Sequence, residues 1–179
     1  LKNNFFLGII FHNFHDNKNY KKGEGSLSKN DLIKIIKFIE RKNILDAEEF
    51  FNRLKENKLK EYHTCLTFDD GSKSQYDIAL PVLEDLNIKS FFFTYSSLFE
   101  DNPNLLEIYR YFRTNCFKNV DDFYNNFYKN LDKNLENFFN IKKKIINDNK
   151  IKFPHYSISD IKFRLVRDQL LSPEEYKNV

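Results

Sequence analysis

Two adjacent carboxylates follow an apolar run in the stretch CLTFDDGSKS, residues 65–74, and a glycine comes directly after them. Neighbouring side chains of a strand point to opposite faces, so Asp69 and Asp70 can serve one site only where the strand ends and the backbone turns. Gly71 permits that turn because glycine tolerates positive φ. One carboxylate can then bind a divalent cation, while the other takes a proton from the water that the cation holds.

Two other interpretations of these residues stay open from their types alone. Aspartate and glycine are common turn formers, so an Asp-Asp-Gly sequence after a strand can be no more than a turn. A phosphatase site of the Asp-x-Asp type is another candidate, but it needs one residue between its aspartates, which this sequence lacks.

The elements that must position the pair alternate between strands and helices. Apolar runs predict strands at residues 5–11, 62–68 and 89–95. Strands that alternate with helices predict an α/β fold with parallel strands, in which ligands bind at the C-terminal ends of the strands. His12 follows the first strand and the aspartates follow the second, so we expect them at one mouth.

Helix signals separate these strands. Ser28 and Asp31 form a capping-box pattern ahead of apolar residues at helical spacing. Asp46 begins a second helix, with an apolar side that contains Phe50, Phe51 and Leu54. Before the third strand, Pro81 lies inside a helical pattern and indicates either a kink or a helix that begins there.

The second half of the chain is rich in Phe, Tyr, Asn and Lys at helical spacing, and we expect residues 99–179 to form a mainly helical insertion. Ser172, Pro173 and Glu175 together predict a helix start. The chain ends four residues after Glu175, which indicates a fragment of a longer protein.

Composition excludes several classes of partner. Lys+Arg is 29 and Asp+Glu is 26, so the net charge of +3 is too balanced to argue for nucleic acid. No apolar stretch approaches the roughly 20 residues of a membrane span, and no signal peptide is visible. Cys65 and Cys116 are the only cysteines, which favours a reducing compartment over a disulfide framework. We therefore expect a cytoplasmic location.

The stretch LTFDDGSKSQYDIALPVLEDLNIKSFFFTYS resembles the first motif, and the segment after it, of the NodB-homology polysaccharide deacetylases, carbohydrate esterase family four. Upstream, IIFHNFHD, NILDAEEFFNRL and KLKEYHTCLTFDDG resemble the opening of the poly-N-acetylglucosamine deacetylase branch. The resemblance covers residues 7 to about 98.

The resemblance implies a metal-dependent hydrolase that removes acetyl groups from N-acetylated sugars or polysaccharide by cleaving an amide bond. The implied substrate is an acetylated glycan of the kind found at cell surfaces. It implies a partial distorted (β/α) barrel, TIM-barrel-like, with the helical insertion in its second half. Asp69 matches the family's catalytic base and Asp70 its metal-binding aspartate, while His12 matches a histidine near the catalytic mouth. His15 is a further possible active-site residue. The implied cofactor is a divalent metal, with zinc favoured and cobalt, nickel or manganese as alternatives.

The sequence lacks the family's second motif and also its later motifs, an arginine–proline segment and a Leu-His segment near the end. The family's second motif, H-S/T-x-x-H, supplies two metal-binding histidines, and no such pair exists here. His12 and His15 are three residues apart in a predicted loop, His63 is expected to be structural, and His155 stands alone.

We therefore interpret residues 1–179 as the N-terminal part of a single deacetylase-like domain, with a β/α core at 1–98 and the helical insertion at 99–179. By itself this chain is expected to be inactive. The alternative is a non-catalytic member of the same fold that binds carbohydrate or a partner.

Overall fold

The computed structural model describes residues 7–16, 18–23, 25–100, 105–131 and 133–179. Two compact units form, Leu1–Thr114 and Asn115–Val179. Residues 5 and 6 of the predicted first strand and residues 101–104 of the predicted insertion lie outside the described part.

The first unit contains a three-stranded parallel sheet in the order β1-β2-β3. Its strands are β1 (Leu7–Phe11), β2 (Thr64–Phe68) and β3 (Phe91–Phe92). Phe11 pairs with Phe68, and Phe68 pairs in turn with Phe92. The predicted mixed α/β architecture with parallel strands is confirmed, whereas closure into a barrel stays a prediction. The third strand is shorter than expected from residues 89–95, although the Phe93 N–H still donates to Phe68 O at 2.7 Å.

One face of the sheet is covered and the other is open, although the continuous apolar run of the first strand is typical of a strand buried on both faces. Phe11 is buried, but Gly8 is exposed and Ile10 is 57% exposed. Alternate residues of a strand point to opposite faces. The face with Phe11, Leu66 and Phe68 therefore packs on the core, while the face with Gly8 and Ile10 does not.

The helices of this unit follow the predicted order. They are α1 (Lys29–Ile39), α2 (Ala47–Lys55), α3 (Leu80–Asp85) and α4 (Leu105–Asn115), whose last residue lies across the boundary between the units. The predicted capping box is confirmed, because the Ser28 hydroxyl accepts from the Asp31 N–H and the Asp31 carboxylate accepts from the Ser28 N–H. Leu32 and Ile36 of α1 are buried against the sheet, in a core cluster that also contains Ile78, Ala79, Val82, Leu83 and Ile88.

The helix predicted to begin at Asp46 is present as α2, but its apolar side is not packed into the core, since Phe51 and Leu54 are exposed and no residue of α2 is buried. This helix is held at its start instead, where the Ala47 N–H donates to Lys89 O and Asp46 accepts from the Lys89 N–H. The chain forms a π-helical turn at Gln75–Ala79, and α3 then begins at Leu80 with Pro81 in its first turn, so of the two alternatives for Pro81 the helix start is confirmed.

The second unit is helical within its described residues. Its helices are α5 (Val120–Lys129), α6 (Leu135–Ile141), α7 (Lys143–Lys152), α8 (Ile158–Gln169) and α9 (Pro173–Asn178). The centre of this unit is aromatic, with the ring of Phe163 lying 5.3 Å from that of Phe123 and 5.0 Å from that of Phe127. The predicted helix start at Ser172 is confirmed by a complete capping box with Glu175. Over the described ranges, none of the helices combines the length and the apolar character that crossing a bilayer requires.

Candidate functional site at the ends of β1 and β2

The chain turns sharply where β2 ends. The Asp69 N–H donates to Phe11 O at 3.0 Å, which extends the pairing of β1 and β2 by one step. Asp70 and Gly71 then both take positive φ, 75° and 61°. A Cβ atom on Gly71 would lie 2.8 Å from Thr94 Cγ2, so this position accepts only glycine without strain. The turn required to bring both aspartates to one site is therefore present.

The Asp70 carboxylate is the best-held group of the site, with its side chain only 10% exposed. The Tyr95 hydroxyl donates to Oδ1 at 2.9 Å. His12 Nδ1 lies 3.2 Å from Oδ2, and Arg110 Nη1 donates to the same oxygen at 3.4 Å. The structure thus brings together His12 and Asp70, which the sequence placed at the ends of two different strands.

Glu107 completes the charge arrangement on α4. Its Oε1 lies 2.6 Å from Arg110 Nη1. Burial raises the pKa of Glu107 above the ordinary glutamate value, the Arg110 guanidinium opposes this shift, and the negative charge of Asp70 adds to it. Arg110 therefore lies between two carboxylates.

Asp69 lies beside a cavity of about 440 Å³ on the open face of the sheet. The lining residues are Gly8, Ile10, Thr67, Asp69, Asp70, Phe93, Thr94 and Tyr95. The combination of apolar walls with two carboxylates at one end is typical of a small-molecule site, where a few polar groups fix the orientation of the ligand.

The residues after the turn hold the loop that carries His12. Ser74 Oγ accepts from the Phe14 N–H at 3.2 Å. Gln75 Nε2 donates to His12 O at 2.7 Å and also to Asp69 O. The main chain at both candidate positions is therefore fixed by side chains that follow the aspartates in sequence.

His15 and His155 take part in other contacts. The His15 ring is buried, and its Nδ1 lies 2.9 Å from Ser26 Oγ within the loop after β1. His155 lies in the second unit, with its ring centroid 4.3 Å from that of Tyr156. The structure groups neither of them with the aspartates.

His63 is held as a buried structural residue, in line with the sequence-based expectation. The Lys60 N–H donates to its Nδ1 at 3.0 Å, and its Nε2 lies 3.3 Å from Arg53 Nη1. Burial and then the Arg53 charge lower the pKa of His63.

Tyr95 and Arg110, which both contact the Asp70 carboxylate, were not anticipated from the sequence. Tyr95 is the last residue of the predicted third strand, and a tyrosine at the C-terminal end of a parallel strand is a usable signal. Arg110 lies on a helix with aromatic and charged residues on several sides, and no local pattern distinguishes it from its neighbours.

Within the described residues, the donors present do not form a metal site by themselves. No group of three His, Cys, Asp or Glu side chains with suitable geometry occurs in the described part of the chain. Asp70 and His12 are two donors, whereas a catalytic site of this kind uses about three protein ligands. In addition, the Asp70 oxygen nearest His12 already faces the Arg110 guanidinium.

Comparison with known proteins gives a family match that overlaps the candidate site. Residues 56–111 match the polysaccharide deacetylase family. This match supports the resemblance described from the sequence, and the deacetylase-matched segment, residues 56–111, includes both aspartates, Tyr95, Glu107 and Arg110. No curated protein matches the chain significantly.

Two solved structures are similar to the chain. One is a de-N-acetylase from Aggregatibacter actinomycetemcomitans, 22% identical with a TM-score of 0.44, aligned over 55% of this chain and 40% of that one. The other is the Streptococcus pyogenes deacetylase PplD in complex with acetate, 18% identical with a TM-score of 0.42, aligned over 61% of this chain and 52% of that one. The chain thus spans about half or less of the length of these two proteins.

Proposed function

We propose that this chain contributes part of the active site of a hydrolase that releases acetate from N-acetylated sugars in a glycan. The observation that supports this most strongly is the placement of Asp69 and Asp70 at the end of β2, beside the cavity and within the deacetylase-matched segment. The β/α core at residues 1–98, the helical insertion at 99–179 and closure into a partial barrel belong to the same proposal.

Asp69 is assigned the role of general base. A carboxylate beside the cavity can take a proton from a water molecule while the water oxygen bonds to the acetyl carbonyl carbon. The carbon–nitrogen bond then breaks, and the proton passes to the leaving amine. The second proton of the water passes from the acetic acid to the amine, so the products are acetate and an ammonium sugar, and atoms and charge balance without a redox partner.

Asp70 is assigned to a divalent cation in the full-length protein, with His12 beside it. Zinc is the first candidate, and cobalt, nickel and manganese are alternatives, since nitrogen and oxygen donors accept all four. Because the described residues supply too few donors, the other ligands of this proposed site must come from elsewhere in the protein. His15, bonded to Ser26, has no assigned part in it.

One observation favours a second candidate, a non-catalytic member of the fold that binds carbohydrate or a partner. Arg110 already provides a positive charge at Asp70, as expected where a cation site has been lost. In that case the cavity would bind an acetylated glycan without cleaving it.

Acetate release decides between the two. The full-length protein is incubated with N-acetylated chitooligosaccharides and each of the four metals, and free acetate is measured. We expect metal-dependent release that Asp69→Asn abolishes. Saturable glycan binding without acetate release from any metal-loaded sample would contradict the deacetylase and support the non-catalytic binding protein.

A further inference from the structure

Gln75 links the two strand ends that carry the candidate residues. The residue is 1% exposed, and its Nε2 donates both to His12 O, at 2.7 Å, and to Asp69 O. His12 follows β1 and Asp69 follows β2, so a single amide group spans the point where the two strands part.

The two carbonyl groups lie just beyond the last residue pair of the ladder, Phe11 with Phe68. A main-chain carbonyl that loses its ladder partner needs another donor when it is buried. The amide nitrogen of glutamine carries two hydrogens and can donate to two acceptors at once. Gln75 thereby replaces the ladder at the point where it ends.

Local backbone geometry directs this side chain. Gln75 is the first residue of the π-helical turn Gln75–Ala79, and its N–H donates to Ser72 O at 3.0 Å. Single π-helical turns are rare in proteins as a whole, and those that occur are often found at functional sites. Ser74 adds a second connection to the same loop, because its Oγ accepts from the Phe14 N–H.

We propose that Gln75 is a positioning residue, whose amide fixes the main chain of His12 relative to that of Asp69 and so sets the geometry of both aspartates. Its effect on turnover rests on the proposed deacetylase function, whereas its effect on the two strand ends does not. Loss of the amide would free the strand ends to separate, and the Asp69 carboxylate would spend less time in a productive position.

The test uses Gln75→Met in the full-length protein, because methionine keeps the length of the side chain and removes both donors. Gln169→Met is the matched control, since Gln169 is exposed at the end of α8 in the other unit. Hydrogen exchange is measured at the N–H groups of Asp69 and Phe14, and kcat and KM are measured per folded molecule. We expect about tenfold faster exchange at both amides and about a tenfold fall in kcat, with KM nearly unchanged. The control should match wild type.

The outcomes separate this inference from the proposed function. Wild-type exchange and wild-type kcat in folded Gln75→Met would overturn the inference and leave the deacetylase intact. If Gln75→Met exchanges faster and the wild-type protein releases no acetate, the positioning role of Gln75 is supported and the proposed deacetylase activity is overturned. If Gln75→Met does not fold, Gln75→Asn is used instead, because its shorter amide can reach only one of the carbonyls. Faster exchange at one amide would then support the inference, and wild-type exchange at both would overturn it.

Discussion

Arg110 Nη1 lies 3.4 Å from Asp70 Oδ2 and 2.6 Å from Glu107 Oε1. The carboxylate proposed to bind a cation therefore already has a cationic neighbour, which α4 supplies. A divalent ion at Asp70 would have to share Oδ2 with the guanidinium or displace it. Like charges in a partly buried site repel measurably even at an effective dielectric constant of about 20.

The first prediction concerns this competition. Arg110→Gln should tighten binding of Zn²⁺ or Co²⁺ by the full-length protein at least about threefold, because the variant removes a positive charge beside the ligand oxygen. Titration calorimetry measures the change. Arg53→Gln is the matched control, since Arg53 also pairs with a glutamate on its own helix but lies next to His63. Weaker metal binding in Arg110→Gln would show that the arginine supports the site instead of competing in it.

The second prediction separates the roles of the two aspartates. Asp69→Asn should keep bound metal and lose turnover, because an amide cannot accept the proton from water. Asp70→Ala should lose the metal as well as the activity. Metal content by elemental analysis and acetate release are measured on the same samples.

A matched control sharpens this comparison. Asp77→Asn removes a carboxylate that pairs with Lys73 on the nearby helical segment, and it should leave both metal content and activity unchanged. Full acetate release by Asp69→Asn would contradict the assignment of the base.

Much of the site was predictable because strand ends are visible in sequence. Apolar runs marked β1 and β2, and in a parallel sheet residues that follow adjacent strands meet at one edge. That rule placed His12 near Asp70, and the structure puts their side chains 3.2 Å apart. The turn at Gly71 was also predictable, since a conformation with positive φ favours glycine.

The remaining features depend on packing that no local pattern records. Ile10 belongs to a continuous apolar run, but its face of the sheet lines an open cavity, so apolar character did not predict burial. Arg110 reaches Asp70 from a helix 40 residues later, and only the tertiary fold determines that approach. Phe51 similarly lies on the surface, where the Lys55 ammonium lies 4.3 Å from the ring centroid.

The third prediction tests the turn that presents the aspartates. Gly71→Ala should lower the free energy of unfolding by about 1–3 kcal/mol, because alanine is strained at φ 61° and its Cβ would meet Thr94 Cγ2. Gly25→Ala is the matched control. Gly25 also has positive φ, 74°, but its Cβ would have nothing within 4 Å, so that variant carries only the backbone strain.

Urea unfolding followed by circular dichroism measures both glycine variants. Thr94→Ser in the Gly71→Ala background should restore part of the loss, since it removes the methyl group that the new Cβ would contact. Equal destabilisation in Gly71→Ala and Gly25→Ala would show that the contact with Thr94 contributes nothing.

The fourth prediction concerns His63 and pH. Burial lowers the pKa of His63, so the native state keeps the ring neutral at pH values where the unfolded chain, with a histidine pKa near 6.5, takes up a proton. The unfolded state then binds more protons, and the free energy of unfolding falls as the pH drops below about 6.5.

His63→Asn should reduce this loss between about pH 7.5 and about pH 5.5, because the asparagine oxygen can accept from the Lys60 N–H without titrating. His155→Asn, at an exposed position in the other unit, is the matched control. If His63→Asn loses as much stability as wild type over this range, the acid sensitivity of the first unit has another source than this buried ring.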